Sequence, residues 1–367
     1  MKIKKILGKV HLYIGLVVGV LFVVIALSGA IYTWAPEISR FIYNQTVEPR
    51  DEPFISVATI KSTIEREFPQ GDFRTAFFRD KSSTIQVLLY GQGTYYHAEL
   101  NPYTGEWIHL QDMNRGWLNY LRSLHRNLLL GDVGREIVHW VTLLTLVMMI
   151  TGIVLWWPVN KTVRKQRFTI QKTSSGRKLN YDLHSVTGFY VTWISVFSVV
   201  TGLFWGFKAV KDTLREVTGE NELVYDKPMS DETGFSEGFD QIRLVDSLAQ
   251  SFRGRYSKDF IRISIPHKKT DPINVAVVKP DMLTYTTDHY VFDRYTGRPI
   301  EGNFENGTHA KSSLYHTLHM MNYDVHFGTI LGLPGRILIF LASLVASLLP
   351  VTGFLIWYGK WKRKGIS

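Results

Sequence analysis

His11 in "KVHLYIGLVVGVLF" and His184 in "YDLHSVTGFYV" each stand four residues before a glycine, Gly15 and Gly188, near the start of a long apolar run. Imidazole suits Fe, Cu and Zn, and residues at i and i+4 share one face of a helix. Two such histidines on facing helices would converge on one point, as cofactor ligands do in helix bundles. A bare metal ion would need more ligands, and no Cys, Asp or Glu lies within the apolar runs to supply them. A haem needs only two axial ligands and a notch for its flat ring, which Gly15 and Gly188 would provide. The competing reading makes each histidine an interfacial residue with a snorkelling head and each glycine, with Gly19, a packing contact. Recurrence of His-x3-Gly favours the ligand reading.

A second set of histidines lies in "YLRSLHRNLLLGDVGREIVHW" and "LYHTLHMMNYDVHFGTILGLPGR". His125 and His319 each follow Leu in a short amphipathic stretch before an apolar run, and are read as the second ligand pair, with His139, His326 and His316 in reserve. The two stretches are out of step: His125 precedes Gly134 by nine residues, whereas His319 precedes Gly335 by sixteen. His139 sits inside an apolar run, where an ionisable side chain marks function. Arg126, Arg135 and Arg336 suit haem propionates through charge-assisted pairs, or equally an ordinary interfacial anchor.

The elements that must position these residues are four runs: Val10 to Trp34, Ile137 to Trp157, Val186 to Phe207 and Gly335 to Tyr358. Each can cross a hydrocarbon core, which takes about 20 helical residues. The first is too long for a signal-peptide core and lacks a small-x-small cleavage site, so it reads as a retained anchor. The net charge of +10 does not point to nucleic acid, because fifteen Lys or Arg and no acid fall in three short segments, 1–10, 159–180 and 359–367. With four spans all three lie on one side of the bilayer, and the positive-inside rule makes that side cytoplasmic.

The fold predicted is an α-helical membrane protein with two periplasmic α+β modules. Its divisions are a first span (1–34), a module with an interfacial segment (35–136), a second span (137–158), a basic cytoplasmic loop (159–183), a third span (184–207), a second module with an interfacial segment (208–334) and a fourth span with a basic tail (335–367). In each module a helical pattern ("ISVATIKSTIEREFP", "FDQIRLVDSLAQSFR") precedes strand-like segments and a closing Tyr-Thr-Gly, at 103–105 and 295–297, suited to a tight turn. Without cysteine, neither module relies on disulfides. Tyr95, Tyr96, Trp107, Arg115, Trp117 and Arg122 are expected to form an aromatic, polar surface near the second histidine set.

The chain reads as a duplication of a unit made of helix, outside module and helix. His11 lies seventeen residues before Ser28-Gly29, and His184 seventeen before Thr201-Gly202. Gly134-Arg135 likewise precedes Thr151-Gly152 by seventeen, and Gly335-Arg336 precedes Thr352-Gly353 by seventeen.

The segments "VHLYIGLVVGVLFVVIALSGAIYTW", "LHRNLLLGDVGREIVHW…TGIVLWWP" and "LHSVTGFY", with two modules closing on "YTG", resemble the PepSY-associated transmembrane helix family over nearly the whole chain. The resemblance implies a bacterial inner-membrane electron-transfer protein with two b-type haems, similar to ferric-siderophore reductases. It implies as partners a ferric siderophore or other Fe(III) chelate and a cytoplasmic or quinol electron donor. No Ser-His-Asp set, Walker motif or dinucleotide fingerprint stands in the sequence. Three alternatives remain: a membrane-anchored protein-binding or protease-restraining module without redox activity, a periplasmic copper reductase using "HTLHMMNYDVH", and a transporter. Transporter folds usually break a helix at midplane, and the four runs are read as uninterrupted there.

Overall fold

The computed structural model describes residues 2–158, 167–171, 175–221, 224–234 and 239–364. The expected basic loop and tail lie partly outside these residues. The helices are, in chain order, α1 (Lys2–Tyr32), α2 (Ala35–Ile42), α3 (Val57–Glu67), α4 (Trp117–Asn127), α5 (Gly131–Trp156), α6 (Gly176–Gly206), α7 (Lys208–Val217), α8 (Gln241–Arg255), α9 (Leu314–Phe327) and α10 (Gly332–Lys364). The strands are β1 (Asp72–Phe78), β2 (Ile85–Gly91), β3 (Thr94–Leu100), β4 (Trp107–Asp112), β5 (Phe260–Ser264), β6 (Ile273–Val278) and β7 (Asp288–Phe292). Two units result. One holds residues 1–34, 120–214 and 322–367, and the other holds 35–119 and 215–321.

In the first unit α1, α5, α6 and α10 are long and apolar enough to cross a membrane. They extend beyond the apolar runs, because the Lys- and Leu-rich flanks of α1 favour helix as strongly as its core does. A helix satisfies its own backbone in lipid, and apolar side chains point outward from all four, as at Val17 (76% exposed) and Leu348 (58%). α1 packs against α5 and α10, and α6 packs against the same two, so α1 and α6 stand diagonally. Pro350, which the sequence reading passed over, lies inside α10, and the helix runs on through it. Gly19 of α1 admits it: a Cβ there would stand 3.1 Å from the proline's Cβ.

The turn from α4 into α5 carries Leu128 and Leu129 at φ of 53° and 61°. Gly134 is what lets the two helices meet, since a Cβ there would lie 1.8 Å from the Asn127 carbonyl oxygen. Gly335 meets the Gly328 carbonyl oxygen in the same way, at 2.2 Å.

In the second unit the strands of the two predicted modules are joined. All seven strands form one antiparallel sheet, ordered β4-β3-β2-β1-β5-β6-β7. The seam is β1 with β5, registered through Ala76 and Ile263. Left apart, each set of strands would present an edge of unpaired N–H and C=O groups; joined, they share one core. α3 and α8 cover one face of the sheet, burying Ile60, Ile64, Val245 and Phe252 against Ile85, Val87, Ile263 and Val275. Asp246 of α8 accepts the Val57 N–H that opens α3, at 2.8 Å. Both Tyr-Thr-Gly segments are tight turns with left-handed glycines, Gly105 at φ 73° and Gly297 at φ 68°. Asn101 and Asp293 shape them by accepting backbone N–H groups of the two residues before each glycine. Tyr96 and Trp107, expected on the surface, pack against the core, while Tyr95 and Trp117 stay exposed.

Candidate functional site

The four-helix unit encloses a cavity of about 1510 Å³, lined by His11, His184, His125, His326 and His139. Pockets for one drug-sized ligand span about 300–1,000 Å³, so this one has room for more than one.

His11 of α1 and His184 of α6 meet across the diagonal with ring centres 6.3 Å apart. His184 sits in a π-helical turn, Leu183–Thr187, a local widening common where helices carry functional residues. A second pair meets with ring centres 6.1 Å apart: His125 of α4 and His326 of α9. His319 is not the partner of His125. It stands two turns earlier on α9, in the sheet-bearing unit, with its ring 5.7 Å from that of Tyr315. His326, held in reserve by the sequence reading, precedes Gly335 by nine residues, the spacing His125 keeps from Gly134. That match was the signal that could have chosen it.

Each ring is held through Nδ1. The Nδ1 of His11 lies 2.9 Å from Thr151 Oγ1, that of His326 2.8 Å from Thr201 Oγ1, and that of His184 3.0 Å from Thr352 Oγ1. Each threonine hydroxyl already donates its one hydrogen to its own helix, to Val147, Phe197 and Leu348 carbonyls among others. The oxygen can therefore only accept, so Nδ1 carries the proton and Nε2 keeps its lone pair. His125 donates to the Ile25 carbonyl oxygen at 2.8 Å, which fixes the same tautomer.

The glycines that seat the rings are those after the hydroxyl residues. A Cβ on Gly29 would stand 2.7 Å from the His125 ring, on Gly353 3.1 Å from His184 and on Gly152 3.3 Å from His11. Gly15 and Gly188 line the cavity, but a Cβ there would meet Met148 at 3.0 Å and Leu349 at 3.6 Å instead. Gly202 is the exception, since a Cβ there would meet Thr142 at 3.3 Å. In the sequence these hydroxyl-glycine pairs served only as register marks, and the role of Gly29, Gly152 and Gly353 was missed.

His139 rests its ring on Gly206, with Nδ1 3.7 Å from Glu136 and without a hydrogen bond. His316 is buried in the sheet-bearing unit, 6.5 Å from the Tyr225 ring, and lies outside the cavity. Arg122, Arg126 and Arg135 line the cavity near His125, and Arg135 also pairs with Asp132 at 2.6 Å. Arg336 is engaged elsewhere, donating to the Thr33 carbonyl at 2.8 Å above the Trp34 ring. Arg167 and Lys360 line the cavity too, Arg167 donating to the Tyr181 hydroxyl at 2.9 Å.

Two imidazoles that grip one metal from opposite sides, with bonds of about 2.0–2.1 Å and about 1.15 Å from nitrogen to ring centre, stand about 6.3–6.5 Å apart. The inner pair at 6.3 Å meets that spacing and the outer pair at 6.1 Å falls just short of it, with Nε2 as the free nitrogen. Among the described residues no three His, Cys, Asp or Glu side chains converge; each site offers two ligands, the number a metal already held in a tetrapyrrole needs. The residues present fit haem.

A family model described as the PepSY-associated TM region matches residues 9–360, and the chain belongs to that family. It is a membrane protein with a β-sheet unit. No curated protein matches the chain.

Proposed function

We propose that this protein is a di-haem oxidoreductase of the bacterial inner membrane that carries single electrons outward and reduces an Fe(III) chelate in the periplasm. The observation that carries the reading is the pair of bis-histidine sites in one cavity, at or close to metal-bridging spacing with Nε2 free. His11 and His184 would hold the inner haem, and His125 and His326 the outer one. Haem, when bound, supplies one-electron Fe(III)/Fe(II) chemistry.

The protein's own residues do the rest. Thr151, Thr201, Thr352 and the Ile25 carbonyl aim the four rings. The apolar helix faces exclude water from the cavity. Arg122, Arg126 and Arg135 at one end, and Arg167 and Lys360 at the other, are placed to pair with propionates. The uncompensated basic segments favour both termini in the cytoplasm, with the sheet outside. The seventeen-residue spacings around the four spans support a duplicated origin for the two halves.

The net step moves one electron from a cytoplasmic or quinol donor, which is oxidised, to the chelated iron, which goes from Fe(III) to Fe(II). Hard oxygen ligands hold Fe(II) far less well, so the ion leaves without a covalent bond breaking. The test is to purify the protein from cells with ample haem supply, reduce it anaerobically and add ferric hydroxamate, ferric catecholate or Cu(II) separately. Reoxidation with capture of Fe(II) by a ferrous-specific dye supports the reading. Turnover with Cu(II) alone moves the assignment to copper reduction. A colourless protein leaves the non-redox, protein-binding reading in its place.

A further inference from the structure

Each of the four spans carries the same three-part sequence element beside one histidine. A carbonyl stands three residues before a hydroxyl residue, and a glycine follows it. The carbonyls of Ile25 and Leu349 lie 2.8 and 3.1 Å from Nδ1 of His125 and His184, and Met148 and Ser198 are the backbone partners of His11 and His326. The hydroxyl partners would be Ser28, Thr151, Thr201 and Thr352. Only the three threonines bring their oxygen to the ring. Ser28 turns its hydroxyl to the Val24 and Ile25 carbonyls, at 2.6 and 3.0 Å, and leaves His125 to the backbone alone.

An acceptor on Nδ1–H makes imidazole a more basic ligand, and such outer contacts change metal affinity by about 10–100-fold. A more basic ligand favours the more highly charged metal and so lowers its reduction potential. From this asymmetry we infer that Thr151, Thr201 and Thr352 are positioning residues that set the reduction potentials of the two sites, and that Ser28 is not. The inference rests on the haem reading above. Losing the hydroxyl leaves each ring its backbone carbonyl: Leu349 for His184 at 3.1 Å, Met148 for His11 and Ser198 for His326. Thr151→Val and Thr352→Val act on the inner pair, and Thr201→Val acts on the outer pair alone.

The experiment is a spectroelectrochemical titration of the whole purified protein and of Thr151→Val, Thr352→Val, Thr201→Val and Ser28→Ala. Thr→Ser variants serve as rescue, and His11→Ala and His326→Ala assign the transitions. Valine keeps the shape and deletes the acceptor together with the hydroxyl's bond to its own helix. A weakening of the preference for Fe(III) by about tenfold raises a midpoint by about 59 mV. We expect positive shifts of up to that size in Thr151→Val, Thr352→Val and Thr201→Val, none in Ser28→Ala, and recovery in the serine variants. Haem loss in a valine variant that serine restores supports the inference; loss in both overturns it. Midpoints unchanged in all three valine variants, with haem content intact, overturn it while the haem reading stands. A wild-type protein without haem overturns the haem reading itself.

Discussion

His125 and His326 come together from the two short helices that precede α5 and α10, their rings 6.1 Å apart, one anchored on a backbone carbonyl and the other on the Thr201 hydroxyl. Replacing His326 with Ala should remove one of two bound haems, measured as pyridine haemochrome per protein, whereas His319→Ala should retain both. The opposite result would restore His319 as the partner.

The seat of His125 gives a second expectation. A valine at position 29 would drive its side chain into the ring, which already stands 2.7 Å from an added Cβ. Gly29→Val should empty the outer site and spare the inner. Gly15→Ala meets the end of the flexible Met148 side chain instead, at 3.0 Å, so both sites should survive. Absorbance of the reduced protein at both sites reads out either case.

Glu99 lies in the sheet with 1% of its surface exposed and accepts hydrogen bonds from Gln45, Thr84 and Gln86 at 2.7, 2.6 and 2.8 Å. Burial raises its carboxyl above the usual range, although the donors pull the other way. Glu99→Leu leaves those donors unpaired at about 1–3 kcal/mol each at most. A clear fall in thermal midpoint is expected, and an unchanged melt would mean that the polar cluster contributes nothing.

His289 on β7 is held neutral, its imidazole pushed down to about 4 chiefly by burial and further by the charges of Arg262 and His316, with Asp288 opposing. The unfolded chain takes up this proton near 6.5, so acid favours unfolding. The contribution is fully present above about pH 6.5 and is lost as pH falls toward 4. His289→Gln should flatten the loss of thermal stability between pH 7 and pH 5; an identical slope in both proteins would exclude His289 as the cause.

The spans were legible because about 20 apolar residues without charge have few alternatives to a membrane helix. His11 with His184 was legible too, since the repeat spacing put both at one depth. His326 was just as readable, by its nine residues to Gly335, but a shared preceding Leu drew attention to His319 two turns away. The glycines that seat the rings were hidden for a different reason. Periodicity places Gly15 on the face of His11, yet the ring leans across to Gly152 on another helix, and no pattern within one segment reports a contact 140 residues distant in the chain. The seam between β1 and β5 was hidden likewise, because one strand's alternation does not name its neighbour.

That seam sets a schedule for assembly. Ala76 finds Ile263 only after α5 and α6 have been synthesised, and contacts of such long separation form slowly. Until then the first four strands wait with β1 unprotected, so a chain halted after α6 should be a target for proteases and edge-capping chaperones. Supplying the second half as a separate polypeptide should rescue it. The sheet is thus a latch that closes only after the two middle spans have been made.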